Sequence, residues 1–281
     1  MKKYFLPGLA AAGGLAGFAL RAWQLSAAAD PASGILRSDH PATLALVLLS
    51  AAMALLFLLL VWRASCPEVG VFFCPSSFYM ALMAAGGLLL LAAGGLELTQ
   101  TLAAYQYLRA AALPEEPVPF PVLEVLCGVL CLPAGAGLLV FGRASYRGQD
   151  STGRLLSSLA PGYLALALLI RYYVAHSSDP LLLRYSWSLL GWVSTLAALY
   201  AVASCCYRKP APRAVLFFGG MAVFLQLTAL ADRPDRFQAL CGMALILSLL
   251  AQSTALAQAC FGPRMPSGAQ EKEHLEPKNE E

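Results

Sequence analysis

Eight apolar runs follow one another along the chain, and they constrain its fold more than any other feature. A helix rises 1.5 Å per residue, so ~20 residues are enough to cross a hydrocarbon core of about 30 Å. The sequence lacks the alternating-polarity segments of about ten residues that mark transmembrane β-barrels. We therefore predict an all-α, polytopic transmembrane helical bundle with spans near residues 4–25, 42–62, 78–100, 122–142, 155–176, 185–206, 213–231 and 237–261.

The segments outside these runs are too short or too polar to form a second domain. Charged residues make up 12% of the chain, against roughly 25% in a typical soluble domain. The longest connection, 101–121, contains several prolines and is predicted to be an extended loop. Residues 1–262 are thus predicted to form the transmembrane domain, and 263–281 a disordered polar tail in the cytoplasm.

Basic residues in the short connections indicate an orientation, because cytoplasmic loops are enriched in lysine and arginine. With the N-terminus inside, twelve of the nineteen basic residues lie on the inner side, and eight spans return the C-terminus to the same side. The prediction is therefore N-in and C-in, with the lipid bilayer of the cell membrane as surroundings. The inner set is Lys2, Lys3, Arg63, Arg143, Arg147, Arg154, Arg208, Lys209, Arg213, Arg264, Lys272 and Lys278.

The first span has an alternative interpretation. Two lysines, an apolar stretch from 4 to 20 and the small residues Ala27, Ala28 and Ala29 resemble a cleavable secretory signal. The polar group Arg21, Trp23 and Gln24 between the stretch and the alanines is unusual for such a signal, so a retained span is favoured.

Polar residues gather near one end of the predicted spans. In the assigned orientation the odd-numbered helices run outward, and each carries polar side chains near its outer end. Ionisable residues inside a span point to a functional site, so we predict an outward-facing polar pocket. Its candidate binding residues are Arg21, Gln24, Glu97, Gln100, Arg171, His176, Gln226 and Asp232.

Arg171 is the strongest of these pointers. The apolar residues before it place its charge at a depth where exposure to lipid is unfavourable, so it should face the bundle, with Glu97 or Asp232 neutralising it. The competing interpretation is that arginines extend to the headgroups beside an aromatic belt. That interpretation accounts well for Arg21, Arg184 and Arg236.

The glycines and cysteines favour structural roles. Glycine pairs in the first, third and seventh spans, with a GxxxG spacing at Gly13 and Gly17, predict close helix packing. The cysteines lack the spacing of a metal site, so no metal and no other cofactor is predicted. Those near the inner face are expected to be free thiols in a reducing cytoplasm; they are Cys66, Cys74, Cys205, Cys206 and Cys260.

Known catalytic and nucleotide-binding motifs are missing from the sequence. It contains no P-loop, GxGxxG, HExxH or GxSxG pattern, and no basic tract interleaved with aromatic residues. Nucleic acid is therefore not predicted as a partner, and an enzyme is the less favoured class.

Several stretches resemble an uncharacterised family of multi-span membrane proteins found in clostridial Firmicutes. They are Arg21-Ala22-Trp23-Gln24-Leu25 with Asp30-Pro31 and Gly34, Arg171 to His176 with Asp179-Pro180 and Leu182 to Tyr185, and Arg208-Lys209-Pro210 with Arg213 and Leu227 to Asp232. The resemblance implies a helical bundle in a bacterial inner membrane and no particular activity. Ser188 stands where an acidic residue is expected in relatives, so it departs from the pattern.

Three classes of function are compatible with these features. A protein that binds or transports a small solute would use the outward polar pocket as its site. A non-catalytic accessory or structural subunit would use the same groups as contacts between helices or with a partner subunit. A membrane enzyme acting on a lipid would need an acid or base near headgroup depth, for which Glu97, His176 and Asp232 are the candidates.

Overall fold

A computed structural model of the chain describes residues 5–28, 40–64, 72, 74–111, 119–148, 152–177, 182–207 and 211–261, without the side chains of 152–156 and 182–184. Within these ranges the protein is all-helical, and eight helices are long and apolar enough to span a membrane. The chain is therefore an integral, multi-pass membrane protein. Its helices are α1 (Phe5–Ala27), α2 (Pro41–Trp62), α3 (Ser77–Ala111), α4 (Val122–Arg147), α5 (Thr152–His176), α6 (Leu182–Cys206), α7 (Pro212–Ala229) and α8 (Arg236–Phe261), with a 3₁₀ turn at Leu230–Asp232 before α8.

The last six helices pack in a closed circuit that follows the chain. Each of α3 to α8 packs against the next, and α8 returns to α3. Helices α1 and α2 pack together on the outside of α7. Because α7 and α8 have neighbours on most sides, they are the most buried helices, whereas α2 is the most apolar and the most exposed.

Helix α3 is longer than the sequence analysis predicted. Residues 101–111 were predicted to belong to an extended loop, but the helix continues without a break to Ala111. This segment, TLAAYQYLRAA, contains neither proline nor glycine and is rich in strong helix formers. The prolines begin only at Pro114, which lies outside the described residues, as does the predicted tail 263–281.

The GxxxG spacing of α1 marks a close contact, as predicted. A methyl group added at Gly17 would overlap the side chain of Thr228, and one at the adjacent Gly14 would overlap that of Leu227. Both partners are on α7, so these glycines let α1 and α7 approach closely. Gly13, the first glycine of the GxxxG spacing, packs instead against the side chain of Met53 on α2. Membership in a glycine pair does not guarantee such a role, because Gly95 faces open space while Gly94 packs against α4.

The thiol prediction is wrong for one of the cysteines near the inner face. Cys260 is disulfide-bonded, whereas Cys74, Cys205 and Cys206 are thiols, as predicted. Disulfides persist mainly in oxidising compartments. This bond and the distribution of basic residues therefore favour opposite orientations, and the orientation itself stays a prediction.

Candidate functional site

Polar side chains meet at one end of the bundle, which we call the polar end: the end where α1, α5 and α7 finish and α2, α6 and α8 begin. Six of the eight predicted residues come together there in two hydrogen-bonded networks and a small cavity. These six are Arg21, Gln24, Glu97, Arg171, Gln226 and Asp232.

The first network, the Arg21 network, joins α1, α2, α6 and the turn after α7. The guanidinium Nε of Arg21 donates to Oδ1 of Asp232 at 2.7 Å, and Nη1 donates to Oε1 of Gln24 at 2.7 Å. Gln24 in turn donates through Nε2 to the hydroxyl of Thr43 at 2.8 Å. The second carboxylate oxygen of Asp232 accepts from the Ser188 hydroxyl at 2.9 Å. One carboxylate thus receives hydrogen bonds from two different helices.

Arg21 does not extend to the lipid headgroups, although the sequence analysis found that interpretation compatible with it. Its side chain is 0% exposed, and that of Asp232 is 11% exposed. A fully buried arginine requires a paired carboxylate, because the charge loses its hydration on burial. The interface interpretation is therefore wrong for Arg21. The side chain of Arg184 lies outside the described residues.

The second network, the Arg171 network, joins α3, α5 and the start of α8. Nη1 of Arg171 donates to Oε1 of Glu97 at 2.6 Å, and Nη2 donates to Oδ2 of Asp235 at 3.3 Å. The guanidinium carbon also lies 4.8 Å from the ring centroid of Phe237, a cation–π distance. Arg171 thus faces the bundle and pairs with Glu97, as predicted, whereas Asp232 serves the other arginine.

A small cavity lies between α5, α6, α7 and α8, next to both networks. Its volume is about 20 Å³. On the same scale, one water molecule needs roughly 10–15 Å³. Ser188 lines this cavity and also donates to Asp232, so the cavity adjoins the Arg21 network. The lining residues are Tyr172, Ser188, Trp192, Gln226, Ala229, Leu230, Pro234, Gln238 and Gly242.

The side-chain amide of Gln226 has a fixed orientation. The Thr195 hydroxyl donates its proton to the carbonyl of Gly191 at 2.8 Å, so it can only accept from Gln226. Nε2 of Gln226 accordingly donates to Thr195 at 3.2 Å. The carbonyl oxygen Oε1 of Gln226 is left beside the cavity wall at Gly242, and no described residue donates to it.

Two more cavity-lining groups have no hydrogen-bond partner among the described residues. Gln238 is 9% exposed, and only its backbone N–H is bonded, to Oδ1 of Asp235 at 2.6 Å. Trp192 is 4% exposed and lines the same cavity, and its indole N–H donates to no described residue. These cavity-lining atoms are not among the fully buried polar atoms that lack a partner, so water that reaches the cavity can bond to them.

Two predicted residues stand outside this arrangement. Gln100 is exposed on α3 and lies outside both networks. Nδ1 of His176 donates to the Tyr172 carbonyl at 2.9 Å, and its ring lies 4.1 Å from that of Tyr185. His176 therefore belongs to an aromatic group at the end of α5, in contact with the cavity only through Tyr172.

Thiols lie nearby, on α4 and α8. Cys127, Cys131 and Cys241 are buried and free, and the sulfur atoms of Cys131 and Cys241 are 3.7 Å apart. Within the described ranges, no group of three or more histidine, cysteine, aspartate or glutamate side chains is arranged to hold a metal ion.

Comparison of the chain with protein-family models, with curated proteins and with solved structures finds no match in any of the three.

Proposed function

We propose that this integral membrane protein binds a small polar solute in the cavity between α5, α6, α7 and α8, and carries it across the membrane. The observation that supports the proposal best is the set of unpaired polar groups around the cavity: Oε1 of Gln226, the side-chain amide of Gln238 and the indole N–H of Trp192. Such groups bind an occupant without first breaking a protein hydrogen bond.

The two ion-pair networks hold this site in a defined shape. Asp232 is tied to Arg21 on α1 and to Ser188 on α6, while Arg171 ties α5 to Glu97 on α3 and Asp235 at the start of α8. The helices that line the cavity are therefore held in place by ion pairs and hydrogen bonds that lie outside it. Binding sites gain affinity when their shape is fixed before the ligand arrives.

Polar groups in the other half of α8 support transport in addition to binding. Oε1 of Gln252 and Oγ of Ser253 are buried, as is Oγ of Ser145 on α4, and none has a hydrogen-bond partner in the described part of the chain. Unpaired groups are costly in a bundle surrounded by lipid, so they favour an ordered or passing molecule near them. The proposal extends the solute path along α8, from Gln238 toward Gln252.

The geometry gives less support to the other two classes. A lipid-directed enzyme needs a free acid or base, but Glu97 and Asp232 accept hydrogen bonds from arginines, and His176 is stacked between tyrosines. An accessory subunit would use the networks only as contacts between helices. It gives no reason for unpaired amides around a cavity.

The proposal is tested with Gln226→Leu, which removes the oriented amide but keeps the size of the side chain. The matched control is Gln100→Leu, because Gln100 lies toward the same end of the bundle and is exposed. Purified proteins would be screened for thermal stabilisation by small polar solutes and ions, and then reconstituted for flux measurements. We expect to find a solute that raises the melting temperature of the wild type and of the control, and that crosses vesicle membranes containing either protein. The same solute should have neither effect with Gln226→Leu. Equal behaviour of all three proteins would contradict the proposal and favour an accessory subunit.

We further propose that the polar end faces outward and that the protein lies in the cell membrane of a bacterium. Single cysteines at Ser177, exposed at the polar end, and Tyr207, exposed at the opposite end, test the orientation. In intact cells an impermeant thiol reagent should label Ser177→Cys, and should label Tyr207→Cys only after the membrane is opened. The unsubstituted protein provides the background from the native cysteines. The reverse pattern would overturn the orientation and agree with an oxidised Cys260.

A further inference from the structure

We infer that the cavity admits only very small uncharged solutes that both donate and accept hydrogen bonds, the class to which water and the smallest amides belong. This inference rests on the proposed function of the same cavity and names its substrate class.

The charges at the cavity distinguish ions from neutral solutes. None of the described residues that line the cavity carries a charged side chain. Two carboxylates adjoin the lining: Asp232 accepts from Arg21 through Oδ1 and from Ser188 through Oδ2, and Asp235 accepts from the backbone N–H of Gln238 through Oδ1 and from Arg171 through Oδ2. An ion entering the cavity would lose its hydration and meet no unpaired opposite charge, which is strongly unfavourable. The uncharged lining therefore favours neutral molecules over ions.

The lining of the cavity offers both donors and acceptors of hydrogen bonds. Oε1 of Gln226 can only accept, and the indole N–H of Trp192 can only donate. The Gln238 amide offers both a donor and an acceptor, and its two groups have no partner among the described residues. A complementary occupant donates to Gln226 and accepts from Trp192. Water has both functions in one atom, and a small amide has both within three heavy atoms, so the chemistry of either complements these groups.

Two glycines provide a matched test of size. A methyl group built at Gly242 would lie 3.5 Å from Oε1 of Gln226, and one at Gly191 would lie 3.5 Å from Cδ of the same residue. Both distances are ordinary van der Waals contacts, so alanine is sterically acceptable at either position. Only Gly242 lines the cavity. Gly242→Ala therefore narrows the cavity, whereas Gly191→Ala packs against the same side chain from outside it.

The experiment uses the full-length protein in proteoliposomes. Stopped-flow light scattering would measure the entry of formamide and urea, with glycerol as a larger neutral solute, and ion-sensitive dyes would measure potassium, chloride and proton flux. Wild type and Gly191→Ala should admit formamide faster than protein-free vesicles, and should admit glycerol and ions no faster. Gly242→Ala should lower the protein-dependent formamide rate roughly tenfold, the discrimination that one extra methyl group gives in a closely fitting site.

The outcomes separate the inference from the proposal on which it depends. Thermal unfolding and gel filtration first establish that both variants fold as the wild type does. If Gly242→Ala alters ion flux and leaves the amides unaffected, or if glycerol passes as fast as formamide, the solute class is wrong but the cavity remains the site. If Gly242→Ala and Gly191→Ala both match the wild type, the inference fails. Protein-dependent flux of no solute and no ion would remove the proposed function as well.

Discussion

The replacement Asp232→Ala should destabilise the protein by about 3–5 kcal/mol, the cost of removing one partner from a buried ion pair. The large value follows from the position of Arg21, whose side chain is 0% exposed and lies 2.7 Å from the lost carboxylate. Water cannot screen a charge that it does not reach. An ordinary hydrogen bond between membrane helices contributes much less, about 0.6 to 1.7 kcal/mol.

Ser188→Ala is the matched control for this prediction. It removes a neutral donor from the same carboxylate, the 2.9 Å hydrogen bond to Oδ2, and leaves the charges in place. Its expected cost is therefore about 1 kcal/mol, within the range for neutral interhelical hydrogen bonds. The free energy of unfolding would be measured for each variant in mixed micelles by denaturation with increasing detergent fraction.

A double-mutant cycle isolates the charge effect. The double variant Arg21→Leu, Asp232→Leu removes both charges. Its loss in free energy of unfolding should therefore be smaller than the summed losses of the two single variants, with a coupling energy of at least ~1.5 kcal/mol. Equal costs for Asp232→Ala and Ser188→Ala, or additive losses in the cycle, would show that Arg21 is not held by this carboxylate. The reasoning from burial would then be refuted.

The Arg171 network and the packing glycines give two further predictions. Glu97→Gln should reduce stability more than Asp235→Asn, because the side chain of Asp235 is 49% exposed and exposed pairs contribute about 0–1 kcal/mol; equal losses in thermal unfolding would contradict this ranking. Gly86→Ala should destabilise the protein by about 1–3 kcal/mol as an overpacked contact, since its added methyl group would lie 2.9 Å from the carbonyl oxygen of Ala244 on α8, whereas Gly95→Ala faces open space and should be neutral. Comparable melting temperatures for these two glycine variants would argue against a close contact of α3 with α8.

The number, type and order of the helices could be predicted because the information is local. A run of ~20 apolar residues identifies a span wherever it occurs, and all eight predicted spans are present. The one large error, at the end of α3, arose because the prolines from Pro114 onward were taken to represent the whole connection, including the alanine-rich segment before them.

The candidate site was predicted only in part because side-chain partners depend on helix rotation and on packing between distant segments. The sequence shows that Arg21 is near the end of α1, but not that this face of α1 meets the turn after α7. Asp235 and Gln238 were missed because Asp235 directly precedes the last helix and Gln238 lies in its first turn, where polar residues are common and carry little information. Gln238 had one weak signal: it recurs with Gln252 on the same helix, inside an apolar run.

The turn between α7 and α8 connects all parts of the site. Its first carboxylate, Asp232, pairs with Arg21, and its second, Asp235, contacts Arg171 and accepts from the backbone N–H of Gln238. Between them Arg233 has a positive φ of 55°, a conformation that a residue other than glycine adopts only at a cost of roughly 1 kcal/mol. Leu230 and Pro234 of the same turn line the cavity.

A solute that enters from the polar end must pass this turn. The turn is held by one strong buried ion pair on one side and by one weaker, half-exposed ion pair on the other. Under the proposed function, opening would therefore start at Asp235, where the contact is longer and water already reaches the carboxylate, while the pair between Arg21 and Asp232 keeps the turn attached to the bundle.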